Sequence, residues 1–371
     1  MFMMKKNGKL FAATMMAAVL FSGCGTSAGN VTNSTTGTTT SAAATETVDQ
    51  NATTESSAVA DGELKHLVIA EPLHSIGYLP LYVAQQEGYF AEEGLDVEVI
   101  QATGGSHVTA VISGDAWGVI GGVDSNAIAN SSGNCPEPIT SFCNCVNKAN
   151  VYLCAKADDD YTGSSDEDLK EFLKGKTINT GRFGGSPNLL VRYKLIELGL
   201  DPDKDVTLVE PADTSTSVAM VQTGQADVSW ATEPQICDGM NKGVWGDAFY
   251  KFPDMGDYSY SVLSTRTSTI KNDPETVQNF TNAMLKALKA VNEDRDLAVS
   301  AAMKEFPTTD QTGIEAAIDR AYEDELWSTD GYISEEAVKN DMDVAIASNV
   351  YTGEYSYDGL VDMQFVEAAS K

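Results

Sequence analysis

The chain has 371 residues and carries 54 acidic against 24 basic side chains, a formal net charge of −30 at pH 7. The acidic residues are spread along the chain and do not form one block, which predicts a solvated, self-repelling surface and argues against nucleic acid as a partner. After an N-terminal segment of low sequence complexity, about 300 residues remain for folding, a length that favours two lobes over a single core.

The first residues of the chain predict a targeting segment. Lysines at positions 5, 6 and 9 precede an apolar stretch at residues 10–21, which is too short to span a bilayer comfortably as a helix. Residues 20–24 then read LFSGC, and small residues followed directly by a cysteine resemble the lipobox of bacterial lipoproteins. The resemblance implies a signal peptide at residues 1–23 and a lipid on the sulfur of Cys24. The alternative is an ordinary secretory signal with an incidental cysteine.

Residues 24–62 predict a disordered tether. The part between residues 25 and 60 is rich in Thr, Ser and Ala and contains no aromatic residue, no Lys and no Arg. Such a composition cannot bury enough apolar surface to offset the conformational entropy of the chain. We expect the segment to hold a folded domain away from a membrane.

The folded part opens with a strand, a loop and a helix. Residues 67–71 predict a strand, and the first half of residues 78–100 places its apolar side chains on one helical stripe. Gly94 follows, where a helix end favours a positive φ, and the second half alternates apolar and acidic residues as a strand does. The loop at residues 72–77 therefore follows the carboxyl end of a strand, which is where open α/β sheets bind ligands.

Two stretches of the chain share one design. Residues 97–126 and residues 206–235 each contain an apolar strand, a small polar turn, a short helix, a glycine, a second apolar strand and a polar loop, and Gly114 matches Gly224. The repeat predicts two similar α/β lobes. The alternative is a chance resemblance between two common βαβ pieces.

Hydroxyl side chains fall near three predicted helix starts, at Ser106, Thr216 and Ser186. We expect these hydroxyls to accept hydrogen bonds from free backbone amides, with Pro187 at the first helical position after Ser186. Ser186 follows a glycine-rich loop at residues 181–185. A loop of this kind before a helix offers amides and a favourable dipole to an anionic or polar ligand. Alternatively, the glycines serve the geometry of a tight turn alone.

Cysteine and histidine residues leave several roles open. Apart from Cys24, the cysteines are Cys135, Cys143, Cys145, Cys154 and Cys237. A metal cluster drawn from the first four is one interpretation, and small buried residues with one disulfide is the other. His74 and His107 fall in predicted ligand-facing loops, where they either donate to a ligand or are solvated.

The C-terminal part predicts more helices than strands. Residues 258–266 predict a strand, and Asp273 and Pro274 then begin a long helix. Its apolar stripe consists of Val277, Phe280, Met284, Leu288 and Val291. We expect this part to pack around the first lobe.

Several short motifs resemble those of one known family. They are LPLYVA at residues 79–84, EGYF at 87–90, EGLDV at 93–97, GQAD at 224–227 and the dipeptide EP at 233–234. These motifs resemble the substrate-binding proteins of ABC importers in the nitrate, sulfonate, taurine and thiamine-pyrimidine group. The resemblance implies an α/β, two-lobed, periplasmic-binding-protein-like fold of type II, with a ligand cleft between the lobes. It implies a first lobe of residues 63–155 plus 257–371 and a second lobe of residues 156–256.

Carried over position by position, the resemblance also implies which residues bind the ligand. They are His74, Ser75, Tyr78, Gly105, Ser106, His107, Asp124, Ser125, Gly185, Ser186, Asn188, Thr214, Trp230 and Glu233. Trp230 either stacks on a flat ligand or packs in the core. Glu233 either binds a cationic or hydrogen-bonding group of the ligand or caps a helix at Pro234. The nearby cations are Arg182, Arg192 and Lys148.

The function implied is capture of a solute without catalysis. We expect a monomer, lipid-anchored at Cys24 on the extracytoplasmic face of the cell membrane, that needs no cofactor and no metal. Its ligand would be a small anionic or heterocyclic organic molecule, sulfonate-, nitrate- or pyrimidine-like, delivered to ABC permease subunits in the membrane. Two alternatives stay open: an exported metal-dependent enzyme that uses the Cys and His residues, and a ligand-sensing surface lipoprotein.

Overall fold

A computed structural model describes residues 63–159 and 161–371 of the chain. The predicted signal peptide, Cys24 and the tether lie outside the described residues. The described part contains two five-stranded sheets, each with helices packed against it. No helix in this part has both the length and the apolar character that crossing a membrane requires.

The first sheet has the strand order β2-β1-β3-β10-β4 and the second has the order β7-β6-β8-β5-β9. The strands of the first sheet are β1 Lys65–Glu71, β2 Leu95–Gln101, β3 Gly118–Gly121, β4 Ile139–Lys148 and β10 Asp257–Arg266. Those of the second sheet are β5 Tyr152–Ala155, β6 Thr177–Asn179, β7 Thr207–Val209, β8 Val228–Ala231 and β9 Tyr250–Lys251.

The two sheets have the same topology. In each, a central strand pairs in parallel with two neighbours, β1 with β2 and β3, and β6 with β7 and β8. An antiparallel strand then follows, β10 beside β3 and β5 beside β8. Gly114 and Gly224 each follow a short helix with φ of 88° and 72°. The two similar lobes that the internal repeat predicts are therefore present.

The helices connect and cover the two sheets. Those up to the end of the second sheet are α1 Leu79–Gln86, α2 Tyr89–Glu92, α3 Ser106–Ser113, α4 Val123–Ser131, α5 Asp166–Leu173, α6 Ser186–Glu197, α7 Ser217–Gln222 and α8 Gln235–Asn241. The later ones are α9 Thr267–Asn272, α10 Pro274–Glu293, α11 Arg295–Glu305, α12 Gln311–Glu323, α13 Glu335–Ala347, α14 Tyr357–Leu360 and α15 Gln364–Ala369. Two of the later helices also contact the second lobe, α12 at α8 and α13 at α6.

The chain passes between the lobes at residues 149–151 and at residues 252–256. The predicted first lobe extended to residue 155, but the structure places β5 in the second sheet, where Leu153 pairs with Trp230. The change of sheet occurs earlier because the amide oxygen of Asn150 accepts a hydrogen bond of 2.8 Å from Thr232 of the second lobe. This contact binds the crossing segment to the second lobe before β5 begins.

The core of the first lobe is organised around aromatic rings. Phe142 of β4 lies 6.0 Å from Trp117, 6.0 Å from Phe280 of α10 and 6.4 Å from Phe365 of α15, measured between ring centroids. All five residues of the predicted apolar stripe on α10 are fully buried. The amphipathic pattern of that helix therefore predicts its buried face correctly.

We predict that Phe142→Ala lowers the free energy of unfolding by about 3–5 kcal/mol, because it leaves a cavity among three aromatic neighbours. Denaturant unfolding followed by circular dichroism measures the effect. The matched control is Met303→Ala, whose side chain is 41% exposed and whose loss should change stability by no more than about 0.5 kcal/mol. Equal losses in the two variants would contradict this account of the core.

Candidate functional site

A cavity lies between the two lobes, next to the carboxyl ends of β1, β3, β6 and β8. About 70 Å³ of it is open to the centre of a water molecule, which is room for several waters or one compact solute. Loops that follow strands in both sheets form its walls. The shared topology of the two lobes therefore directs equivalent loops toward one space.

Nine of the predicted site residues line this cavity. They are Ser75, Tyr78, Gly105, His107, Ser125, Gly185, Ser186, Thr214 and Trp230. The first five belong to the first lobe and the last four to the second. Their contact with a ligand stays a prediction, and their convergence on one cavity is a property of the fold.

His74 lies outside the cavity. Its Nδ1 is 2.8 Å from a carboxylate oxygen of Glu71, and its Nε2 is 3.4 Å from Glu305. Its ring packs between Tyr82 and Phe306. Burial alone would lower the pKa of His74, but the hydrogen bond to Glu71 and the charge of Glu305 raise it overall. His74 therefore attaches the cleft loop to the body of the first lobe.

Glu233 also lies outside the cavity, and the helix-capping interpretation is the correct one. Its carboxylate accepts a hydrogen bond of 3.2 Å from the backbone N–H of Cys237 in α8 and one of 3.0 Å from Arg320 of α12. Its backbone carbonyl accepts from the N–H of Ile76 at 3.1 Å. Burial raises the pKa of Glu233, and Arg320 opposes that rise. Glu233 thus connects the second lobe to two segments of the first.

Asn188 and Ser106 do not reach the cavity either. Asn188 is fully buried and donates to Thr180 at 2.7 Å and to Glu210 at 2.9 Å, while its oxygen accepts from the N–H of Gly184 at 3.2 Å. It fixes the shape of the glycine-rich loop. Ser106 is the exposed first residue of α3 and makes no capping hydrogen bond.

The expected capping by hydroxyl groups is wrong at all three helix starts. Gly105 and Gly185 occupy the cap positions of α3 and α6, so Ser106 and Ser186 stand one residue too late to cap those helices. Thr216 precedes α7 without a side-chain cap. The hydroxyl of Ser186 donates across the cleft, at 3.1 Å, to the carboxylate of Asp124, which lies behind the cavity wall.

Arg182 supplies the positive charge of the cavity. It takes part in none of the ion pairs that the described residues form within 4.0 Å, and one of its nitrogens donates to the carbonyl of Phe183. Burial lowers the pKa of Arg182 and the charge of Asp124 partly restores it. A Cβ atom on Gly105 would lie 3.4 Å from the guanidinium carbon. That distance is an ordinary van der Waals contact, and glycine is favoured at position 105 by its φ of 90°.

Three buried polar atoms of residues that line the cavity have no hydrogen-bond partner within 3.5 Å among the described residues. They are Nδ1 of His107, Nε1 of Trp230 and the hydroxyl oxygen of Ser261. Burial and the charge of Arg182 lower the pKa of His107 to about 4, so its ring is neutral near pH 7. Trp230 packs in the core with its N–H edge toward Gly181. Buried polar groups normally find partners, so these atoms indicate a site for a polar guest.

The sequence interpretation missed cavity residues at the returning strand and at the crossings. Tyr260 and Ser261 of β10 line the cavity, as do Asn150 and Thr232. The alternation of Tyr and Ser in β10 could have indicated these residues, because polar side chains in a buried strand normally need hydrogen-bond partners. Asn150 and Thr232 lie 82 positions apart and carry no local signal.

Within the part that the structure describes, no group of three or more His, Cys, Asp or Glu residues is arranged to hold a metal ion. The five cysteines of this part are free thiols. Burial raises the pKa of Cys143 to about 12, which suppresses the thiolate that metal binding and catalysis require. In the described residues four of the cysteines thus behave as small buried side chains, Cys135 is partly exposed, and none forms the disulfide that one interpretation included.

The fold belongs to the class of two-lobed periplasmic binding proteins. The alkanesulfonate-binding protein SsuA from Xanthomonas axonopodis pv. citri, solved bound to MOPS, superposes with a TM-score of 0.65 at 15% identity, over 81% of this chain and 99% of that one. The nitrate-binding protein NrtA from Synechocystis PCC 6803 superposes with a TM-score of 0.64 at 16% identity, over 83% of this chain and 89% of that one. These likenesses concern the fold.

The chain belongs to the family described as NMT1/THI5 like, whose model matches residues 75–298. The protein YtlA of Bacillus subtilis (strain 168) is 29% identical over 311 residues, which cover 82% of this chain and 90% of YtlA. The family resemblance that the short motifs indicate is confirmed.

We predict that Arg320→Ala lowers the free energy of unfolding by about 3–5 kcal/mol at neutral pH, because it leaves the Glu233 carboxylate buried without its cation. The matched control is Arg295→Ala, which breaks a pair with Asp319 whose side chains are 44% and 53% exposed and should leave stability close to that of the wild type.

The loss in Arg320→Ala should also depend on pH. Without the cation, the folded-state pKa of Glu233 rises further above its unfolded value, so the variant loses stability as pH rises between the two values. Unfolding midpoints at about pH 5 and pH 7.5 measure the effect, and the deficit should be smaller at the lower pH. A deficit that is the same at both values would contradict the burial of an ionised Glu233.

Proposed function

We propose that the chain captures a small anionic organic solute between its lobes and delivers it to the permease of an ABC importer. The observation that carries the proposal is the cavity itself, which is lined by Arg182, a cation without a paired carboxylate, and by residues whose buried polar atoms lack a partner. No Asp or Glu is among the residues that line this cavity. The site therefore suits a guest that accepts hydrogen bonds and carries negative charge.

The local charge opposes the charge of the whole chain. A net charge of −30 repels anions at long range, but salt screens that repulsion beyond about 8–10 Å. Inside the cavity the nearest charge is the guanidinium of Arg182, and the neutral ring of His107 adds no competing positive charge. Affinity for an anion then depends on a few donors that water does not screen.

The arrangement also favours closure of the lobes on the guest. Arg182 and Trp230 belong to the second lobe, and His107 and Ser261 belong to the first. A guest that bonds to both sets interacts with the closed state more than with an open one, and a ligand shifts an equilibrium by that difference. Hinge closure of two lobes around a ligand is an established mode of solute capture.

The structure favours the anionic class over a cationic heterocycle. Glu233, the carboxylate expected to bind a cationic group, is engaged by Arg320. The edge of Trp230 reaches the cavity near Gly181, and the rest of the ring is buried in the core. The printed names of SsuA and NrtA refer to alkanesulfonate and nitrate. We accordingly place compact sulfonate- or nitrate-like oxyanions ahead of pyrimidines.

We predict that Arg182→Ala weakens binding of the captured anion by about tenfold or more, because it removes a charge-assisted hydrogen bond. Methanesulfonate, taurine, nitrate and uncharged pyrimidines are screened by thermal shift, and the stabilising compound is titrated by calorimetry. Arg192→Ala is the matched control, because Arg192 pairs with Glu210 outside the cavity. The same affinity in both variants would contradict the role of Arg182.

The same titration separates capture from catalysis. We expect the compound recovered after incubation with the protein to be chemically unchanged by mass spectrometry. A product that accumulates beyond one equivalent of protein would favour the exported-enzyme alternative.

We also propose that the protein is lipid-anchored through Cys24 on the extracytoplasmic face of the membrane, where a tethered domain meets a permease. The support is the lipobox-like sequence LFSGC and the low-complexity segment after it. We predict that Cys24→Ser moves the protein out of the membrane fraction of cells that express it, whereas Cys135→Ser leaves it there. Retention of Cys24→Ser in the membrane fraction would contradict the anchor.

A further inference from the structure

Two carboxyl groups lie buried together behind the cavity wall. Asp124 of α4 and Asp341 of α13 are both fully buried. One oxygen of Asp341 accepts from the backbone N–H of Asp124 at 3.2 Å and from the hydroxyl of Ser259 at 2.8 Å. One oxygen of Asp124 accepts from the hydroxyl of Ser186 at 3.1 Å. The second oxygen of each carboxyl is buried; that of Asp124 has no hydrogen-bond partner among the described residues, and Asp341 faces the hydroxyl of Tyr258.

The surroundings of the pair contain too little positive charge for two carboxylates. Arg182 is the cation that acts on Asp124, and Lys339 on α13 is engaged by Asp343 of the same helix. The other titratable groups that face the pair from packed elements are neutral near pH 7, namely the phenols of Tyr258, Tyr260 and Tyr355 and, on the cavity side, the imidazole of His107. One guanidinium therefore faces two acids.

We propose that Asp124 and Asp341 hold one proton between them when the lobes are closed, and that the pair thereby positions Ser186 of the second lobe at the cavity. Two ionised carboxylates in a fully buried site would lack a second counter-ion and would leave an oxygen of Asp124 unpaired. A shared proton removes one charge and supplies a donor for a free oxygen. Burial raises the pKa of both groups, and the charge of Asp124 further raises that of Asp341.

The proton would move with the lobes. When Ser186 leaves Asp124 and water enters, the acid pair returns toward ordinary ionisation and releases the proton to solvent. When the lobes close, the acid pair takes up one proton from solvent. The proton forms an O–H bond on one carboxylate, and no other bond forms or breaks. The link to solute capture rests on the proposed function, whereas the shared proton itself does not. Solute affinity should accordingly fall as pH rises through the range where the closed pair loses its proton.

Infrared spectroscopy of the full chain at pH 7, without any solute, tests the pair directly. The wild type should show the carbonyl stretch of a protonated carboxylic acid, and Asp341→Asn should lose it. Asp343→Asn is the matched control, since Asp343 lies two residues away on α13 with a side chain 52% exposed, and it should keep the band. A wild type without the band, or an Asp341→Asn variant that retains it, would overturn the proposal.

Ser186→Ala tests whether the pair engages the second lobe. The band should persist in this variant but shift in frequency, because the hydrogen bond across the cleft to Asp124 is gone. An unshifted band would show that the pair acts only within the first lobe, and the positioning role would be withdrawn.

The pH dependence of stability provides a second measurement. The unfolded chain releases this proton near an ordinary Asp pKa of about 3.9, whereas the folded pair keeps it to higher pH. The folded-to-unfolded ratio of the wild type should therefore fall with rising pH by up to about tenfold per pH unit relative to Asp341→Asn. His66 and His74 are present in both proteins, so their titration cancels in the comparison. Parallel pH profiles would overturn the shared proton, and neither measurement depends on which solute is captured.

Discussion

The interaction on which this structure depends is the field of one guanidinium in a closed cleft. Arg182 stands at the cavity wall next to Gly105, and burial strengthens its attraction for a charge of opposite sign. The neutral imidazole of His107 follows from the same field, because the charge of Arg182 and burial together keep a second proton off that ring. The cavity thus has one fixed positive charge, and the N–H of Trp230 at its wall has no acceptor among the described residues.

Contacts elsewhere in the fold hold the two lobes, and so the two halves of this site, in a fixed relative position. Glu233 contacts the first lobe through its carbonyl at Ile76 and through its carboxylate at Arg320. Asn150 and Thr232 bond to each other where the chain crosses between the sheets. On the cavity side, Ser186 and Asp124 form the corresponding contact. The lobes are therefore joined at two places, by a buried ion pair between Glu233 and Arg320 and by the hydrogen bond from Ser186 to the buried Asp124.

The fold was predictable from the sequence because its signals are local or repeated. The strand alternation after Gly94 and the apolar stripe of α10 need only neighbouring residues, and the repeat that aligns Gly114 with Gly224 compares two such local patterns. The misplaced site residues depend on partners far along the chain, since Glu233 meets Arg320 across 87 positions and His74 meets Glu305 from another lobe segment. The sequence predicted that Ser186 caps α6, but the helix begins one residue earlier than that role requires, and Gly185 occupies the cap position. Local sequence preferences cannot show whether Gly185 or Ser186 occupies the cap, because the hydroxyl of Ser186 bonds instead to Asp124 of the other lobe.

The most direct test of the account is small-angle X-ray scattering of the full chain with and without the anion that stabilises it most in the thermal screen. If the lobes close on a guest at Arg182, the radius of gyration should decrease when the anion is added to the wild type, and the same concentration should leave Arg182→Ala unchanged. Scattering curves that coincide with and without a saturating, tightly bound anion would contradict capture by closure of the two lobes.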